Sequence, residues 1–193
     1  MSAAAERAIV LAASAGGIAA LRTLLPGLSA GPAAVLVLIH TASQQVEGLL
    51  RVLQEGCSLP VSAAIHGEPA QAGRVYVAPP RYHLLVEADR CFALSVDPKV
   101  CHVRPSADVL LGSAADAWRA DLAAAILTGS NPDGAEGLAQ LRSRGGYALV
   151  QRPDTAERPE MPAAALARAG ADAILPLSAI APALMRWCGA GLR

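Results

Sequence analysis

Ala8-Ile9-Val10-Leu11-Ala12-Ala13-Ser14-Ala15-Gly16-Gly17 is the stretch that decides the fold. Its six apolar residues in a row match a strand buried on both faces, the kind that builds parallel sheets. The run stops at Ser14 and two glycines follow. Ile18, Leu21, Leu24 and Leu25 then recur at helical spacing until Pro26-Gly27 ends the helix. A buried strand turning through glycines into an amphipathic helix is the first half of a βαβ unit.

The pattern repeats outward from there. Ala33 to Ile39 is a second apolar strand, ending at His40, and Val46, Leu49, Leu50 and Leu53 share one face of a helix expected from Ser43 to Glu55. Strand, helix, strand, helix in that order calls for parallel strands joined by crossovers. The middle changes character: Arg74 to Ala78 reads as a short strand before Pro79-Pro80. His83 to Glu87 and Phe92 to Val96 flank the tight Ala88-Asp89-Arg90 turn, which predicts an antiparallel hairpin. Ser106 is placed to cap a helix reaching about Trp118, with Asp108 in its first turn.

Alternation then returns. Leu122 to Leu127 is a strand, and Thr128 to Gly134 is a turn-rich loop. Ala135 to Ser143 is a helix closed by Gly145-Gly146, and Tyr147 to Gln151 is another strand. A polar loop runs to Pro162, followed by a helix from Ala163 to Ala169, a strand from Ala173 to Leu175 and a last helix from about Ser178. The expected fold is α/β: a doubly wound, mostly parallel sheet with helices on both faces and an added antiparallel hairpin. With no internal repeat and no long linker, residues 1–193 read as one domain.

Composition narrows the function. Hydrophobic residues make up 53% of the chain and charged ones 17%, which excludes a disordered chain. Aromatics are only 3%, so Ala, Val, Leu and Ile must fill the core. Sixteen basic and sixteen acidic residues, with no polybasic run, make nucleic acid and anionic membrane poor partners. No apolar run is long enough to span a bilayer, and Met1 to Arg7 lacks the order of a signal peptide. Cys57, Cys91, Cys101 and Cys188 form no C-x-x-C pair, and the nearness of Cys101 to His102 fits no standard metal spacing. Free thiols in a reducing cytosol are the expectation.

Ligands of open α/β sheets bind outside the carboxyl ends of the strands. Ser14 and His40 each follow a strand directly, and Asp133 lies a few residues into the loop after a third. That places a nucleophile, a base and an orienting carboxylate on one rim, as a Ser–His–Asp mechanism needs. Taken singly, each has a plainer reading: Ser14 as a helix N-cap, His40 as a structural residue, Asp133 as a turn former. A nucleotide site fits worse. The first loop lacks G-x-G-x-x-G, no acid closes the next strand, and no Gly-Lys-Ser/Thr occurs. The order Ser, His, Asp also differs from that of the common α/β-hydrolases.

With these residues in place the chain resembles, from about Ile9 to Trp187, the catalytic domain of CheB-type protein-glutamate methylesterases. Ser14-Ala15-Gly16-Gly17 resembles the family's Ser-Thr/Ala-Gly-Gly turn, and His40 the histidine that ends its second strand. Val75-Tyr76-Val77-Ala78-Pro79-Pro80 with His83-Leu84, Arg104-Pro105-Ser106-Ala107-Asp108, Ile126-Leu127-Thr128-Gly129 with Asp133 to Leu138, and Met161-Pro162 follow the family's remaining motifs in order. The departures fall on the flanks. Ile39-His40-Thr41-Ala42 replaces Gln-His-Met-Pro, and Ala12 stands for the first glycine of the usual turn. Glu160 replaces the glycine before Met-Pro, and Gly129-Ser130-Asn131-Pro132-Asp133-Gly134 replaces Gly-Met-Gly-Asn/Asp-Asp-Gly. They leave all three triad residue types in place and bear on substrate shape and rate.

The resemblance implies that Ser14 attacks a glutamate γ-methyl ester in a chemoreceptor or other sensor helix and releases methanol. His40 carries the proton, Asp133 holds its ring, and backbone N–H groups at Ala15, Gly16 and Ser130 face the oxyanion. The same acyl chemistry extends to glutamine deamidation. Arg104 either steers an acidic helix or makes a helix-flanking ion pair. No metal or organic cofactor is implied, and a cytoplasmic location is. Receptor helices and a cognate methyltransferase are the implied partners, without nucleic acid or membrane insertion. The turn and the Ala-Pro-Pro segment are nearest the divergent branch joined to methyltransferases, and no receiver domain is expected ahead of the catalytic one. Two further readings stand beside this one: a serine esterase for a different ester, and a non-catalytic domain that binds receptor helices or a methyltransferase.

Overall fold

The computed structural model describes residues 4–42 and 45–189. Its centre is a seven-stranded parallel sheet. The strands are β1 (Arg7–Ala13), β2 (Ala33–Ile39), β3 (Val61–Ala63), β4 (Val75–Val77), β7 (Leu122–Ile126), β8 (Tyr147–Gln151) and β9 (Ala173–Leu175). They lie side by side in the order β3-β4-β2-β1-β7-β8-β9. β1 is therefore flanked by β2 on one side and β7 on the other, in parallel register (Ala12 beside Leu38 and Ile126). Chain order reverses across β1, and that is where a doubly wound sheet opens a crevice at its carboxyl edge.

Alternation along β1 sorts the two faces. Ala8, Val10 and Ala12 point into one core, packed with α3 (Ala107–Trp118), α4 (Ala135–Ser143) and α5 (Glu160–Ala169). Ile9, Leu11 and Ala13 point into the other, with α1 (Gly17–Leu24), α2 (Val46–Gln54) and α6 (Leu177–Gly189). The first face is rich in alanine on both sheet and helices (Ala8, Ala12, Ala34, Ala114, Ala115, Ala124 and Ala148), which accounts for the scarcity of aromatics. β5 (His83–Val86) and β6 (Phe92–Ser95) form the expected antiparallel hairpin as a two-stranded sheet of its own. Leu84, Val86 and Phe92 lie in the same core as α3, and the Val86 N–H donates to Ser113 Oγ on that helix.

Most sequence expectations hold to within two residues, and the exceptions have local causes. β3 is not visible in the sequence: three residues after Pro60 show no period, and the strand forms only because it pairs with β4 at the sheet edge. α5 starts at Glu160, before Pro162, because a first-turn proline lacks only an N–H that has no partner there. α2 begins at Val46, and the expected start at Ser43 lies outside the described residues. Among the described residues no helix is long and apolar enough to cross a membrane.

Leu36, on the inner strand β2, is fully buried. Leu36→Ala is expected to lower unfolding stability by about 2–5 kcal/mol, measured by denaturant titration.

Candidate active site

Asp133 is the fixed point of the site. It lies in the loop between β7 and α4 and is completely buried. Ser106 Oγ donates to its Oδ1 at 2.6 Å and the Asp108 N–H to the same oxygen at 3.2 Å. Oδ2 accepts the Ala107 N–H at 2.6 Å and His40 Nε2 at 2.9 Å. Three of these donors belong to the start of α3, where free amides and the helix dipole favour an anion. Burial pushes the carboxyl pKa up, but the bonds from His40, Ser106, Ala107 and Asp108 outweigh it, and the group ionises below the ordinary carboxylate range.

Asp108 makes the reciprocal contact. From the first turn of α3 its Oδ1 accepts the N–H groups of Gly134 at 2.9 Å and Gly137 at 2.8 Å, at the start of α4. Burial raises its pKa, the Gly137 amide opposes the rise and the Asp133 charge adds to it, with a net upward shift. Ser106, read from sequence only as a cap, does cap α3 by accepting the Val109 N–H, and its hydroxyl hydrogen goes to Asp133. It is fully buried, with its hydroxyl bonded to Asp133 and to the Val109 amide.

His40 ends β2 with its side chain 9% exposed. An ionised carboxylate only accepts, so the bond to Asp133 places the ring hydrogen on Nε2 and leaves the lone pair on Nδ1. That lone pair accepts from Asn131 Nδ2 at 3.0 Å. Asn131 Oδ1 in turn accepts the Asp133 N–H at 3.1 Å, which fixes the amide with its NH2 toward the ring.

Ser14 stands half-buried just past β1. Its N–H donates to Thr128 O at 2.9 Å and its carbonyl accepts the Gly17 N–H at 2.8 Å. That closes a turn with Gly16 at φ 76°, ψ −4°, a conformation that only glycine takes without strain. Gly129 has to be glycine for another reason: a Cβ there would sit 2.8 Å from Ser14 Cβ and 2.5 Å from Met161 Sδ. Thr128 Oγ1 donates to Ala15 O and accepts the Arg158 N–H, each at 2.9 Å, so one side chain joins the Ser14 turn to the segment before α5.

Ser14 and His40 line one hollow of about 170 Å³, with Gly16, Gly17 and Ile18 on its wall. Among the described residues Ser14 Oγ makes no hydrogen bond, and the N–H groups of Ala15, Gly16 and Ser130 donate to no protein acceptor. A second cleft of about 380 Å³ also reaches His40 and is lined by Val46, Leu49 and Pro80 and by the basic side chains Arg81, Lys99 and Arg104. Of the two roles expected for Arg104, the helix-flanking ion pair is not what forms. Arg104 makes no ion pair among the described residues, and its Nη1 donates to the carbonyls of Val96 and Asp97, anchoring the end of the hairpin.

Cys101 Sγ and carboxylate oxygens of Asp108 and Asp133 lie within 4.8 Å of one another. They suit a metal poorly. Both carboxylates are engaged by helix amides, and desolvation followed by the two aspartate charges pushes the Cys101 thiol above its usual value, away from the thiolate that metals take. The sequence had pointed to Ser14, His40 and Asp133, and the fold brings their strand ends together. It had not pointed to Asn131 or Thr128 as site residues, nor to Ser106 and Asp108 as the clamp on the acid. The Arg-Pro-Ser-x-Asp and Thr-Gly motifs were the signal for all but Asn131.

A family model described as CheB methylesterase matches residues 9–184. A protein of Leptospira interrogans serogroup Icterohaemorrhagiae serovar copenhageni, provisionally named a protein-glutamate methylesterase/protein-glutamine glutaminase, is 40% identical over 180 residues, covering 93% of each chain. The protein-glutamate methylesterase/protein-glutamine glutaminase of Symbiobacterium thermophilum is 38% identical over 187 residues, which are 96% of this chain but 52% of that protein. The crystal structure of the Thermotoga maritima CheB methylesterase catalytic domain superposes with a TM-score of 0.90 at 29% identity, over 97% of this chain and all of that one.

A carboxyl group with a depressed folded-state pKa contributes stability above its unfolded value and loses it as pH falls through the folded one. Thermal melts are therefore expected to show a stability contribution from Asp133 that is complete at neutral pH and is lost on acidification below about pH 4. In Asp133→Asn that part of the acid dependence is absent, and the variant is already less stable at pH 7. An unchanged acid limb in the variant would contradict this assignment.

Proposed function

The chain belongs to the CheB methylesterase family, and on that premise we propose that it hydrolyses glutamate γ-methyl esters in receptor or sensor helices through Ser14, His40 and Asp133. The observation that carries the reading is the His40–Asp133 hydrogen bond of 2.9 Å beside a hollow that Ser14 shares. Ser14 Oγ attacks the ester carbonyl while its proton passes to His40 Nδ1, the nitrogen that Asp133 leaves free. The N–H groups of Ala15, Gly16 and Ser130 stabilise the oxyanion. The carbonyl re-forms, the C–O bond to methoxide breaks, and His40 returns the proton so that methanol leaves. Water then attacks the acyl-enzyme by the same relay, giving glutamate and free Ser14. A glutamine side chain would follow the same path with ammonia as the leaving group.

The basic cleft beside His40 favours an acidic helix as substrate, with Arg81 and Lys99 at its rim. Arg104 contributes there by holding the hairpin wall in place. The protein is read as one catalytic unit that works in the cytoplasm on methylated receptors or sensors, with a methyltransferase as its counterpart. One observation favours a second reading, a domain that binds such helices without turnover: Nδ1 of His40 meets Asn131 and not Ser14.

Incubation with a fluorophosphonate probe, followed by peptide mapping, separates the two. The first reading predicts labelling at Ser14, together with methanol release from γ-methyl-esterified helices that Ser14→Ala lowers by about 10⁴-fold or more. A folded protein that takes no label and releases no methanol is the binding domain.

A further inference from the structure

The Asn131–His40 contact has a chemical consequence that the triad alone does not contain. Nδ1 of a neutral imidazole has one in-plane lone pair and accepts one good hydrogen bond. In the proposed reaction that lone pair must take the Ser14 proton, yet the Asn131 NH2 lies on it at 3.0 Å. Asn131 is not needed to choose the tautomer, because the carboxylate of Asp133 already holds the hydrogen on Nε2. Its remaining effect at Nδ1 is to compete with the serine.

The amide is held in that position from both ends. Its Oδ1 accepts the Asp133 N–H at 3.1 Å. Pro132 follows directly and restricts the Asn131 backbone to extended conformations. Flipping the amide would turn Oδ1 toward the Nδ1 lone pair and set the NH2 against the Asp133 N–H, two repulsive contacts in place of two bonds. The side chain must therefore leave Nδ1 as a whole. It must also stay away while Nδ1 carries the serine proton, since N–H would then face N–H.

We infer that Asn131 is a positioning residue that caps the base: the resting protein holds the Nδ1 lone pair of His40 against Ser14, and reaction proceeds only from the fraction in which the amide has let go. This rests on the triad reading above. Releasing one hydrogen bond of ordinary net strength lowers the competent fraction by roughly two- to tenfold.

The test is the rate of fluorophosphonate labelling at Ser14, in which an O–P bond forms, fluoride leaves and the serine proton passes to His40. Wild type, Asn131→Gly, Asn131→Asp and His40→Gln are compared after thermal melts confirm that each is folded; Asn131→Ala replaces the glycine variant if that one is not. The cap predicts labelling roughly two- to tenfold faster in Asn131→Gly. It predicts slower labelling in Asn131→Asp, which keeps the acceptor for the Asp133 N–H but turns a second oxygen toward Nδ1 and draws a proton onto the base. A residue that only braces the loop gives the reverse order, with Asn131→Asp near wild type and Asn131→Gly slower, and that order overturns the cap. His40-dependent labelling of wild type with no change in Asn131→Gly overturns the cap and leaves the triad standing. Wild type that takes no label overturns both.

Discussion

Two helix N-termini exchange carboxylates, and the site is built on that exchange. Asp133, on the approach to α4, is held by the first amides of α3, while Asp108, in the first turn of α3, is held by the first amides of α4. Each acid answers the unpaired donors of the other helix, so neither helix can shift without exposing buried polar groups on both. Ser106 adds a hydroxyl to Asp133 and an N-cap to α3 with the same side chain. Burial and then the charge of Asp133 raise the Asp108 pKa, while the four hydrogen bonds to Asp133 bring its own down.

From that anchor the rest of the geometry follows. Asp133 holds His40 by Nε2 and leaves Nδ1 to meet Asn131 in the loop after β7. Thr128 and Gly129 bring that loop against the Ser14 turn by a side chain that bonds to Ala15 and by the absence of a Cβ against Ser14. The sheet supplies the larger frame. Placing β1 between β2 and β7 brings the strand ends carrying Ser14, His40 and Asp133 side by side, although they are far apart in sequence.

How much of this the sequence showed depended on how local the cause was. β2, α4, β8 and β9 could be read to the residue because apolar runs or helical spacing bounded by turns define them without outside help. β3 could not, since its three residues become a strand only through their partner on β4. The neighbouring places of Ser14, His40 and Asp133 were legible because the strand–helix alternation fixes where each strand ends. Their hydrogen-bond partners were not: which ring nitrogen faces the acid, and that Asn131 reaches the other, depends on side-chain directions across distant segments. Arg104 shows the same limit. Its charge invited an ion pair, while its position makes carbonyls at the hairpin end its nearest acceptors.

The α3–α4 carboxylate exchange fixes the neutral His40 ring with its hydrogen on Nε2 and its lone pair on Nδ1. Nitrogen-15 NMR of the histidine-labelled protein at mildly alkaline pH, with His40 assigned through His40→Gln, measures this directly. The account predicts a protonated, pyrrole-type Nε2 and a bare, pyridine-type Nδ1. A proton on Nδ1 in the neutral ring would contradict it, because Asp133 would then not be setting the tautomer.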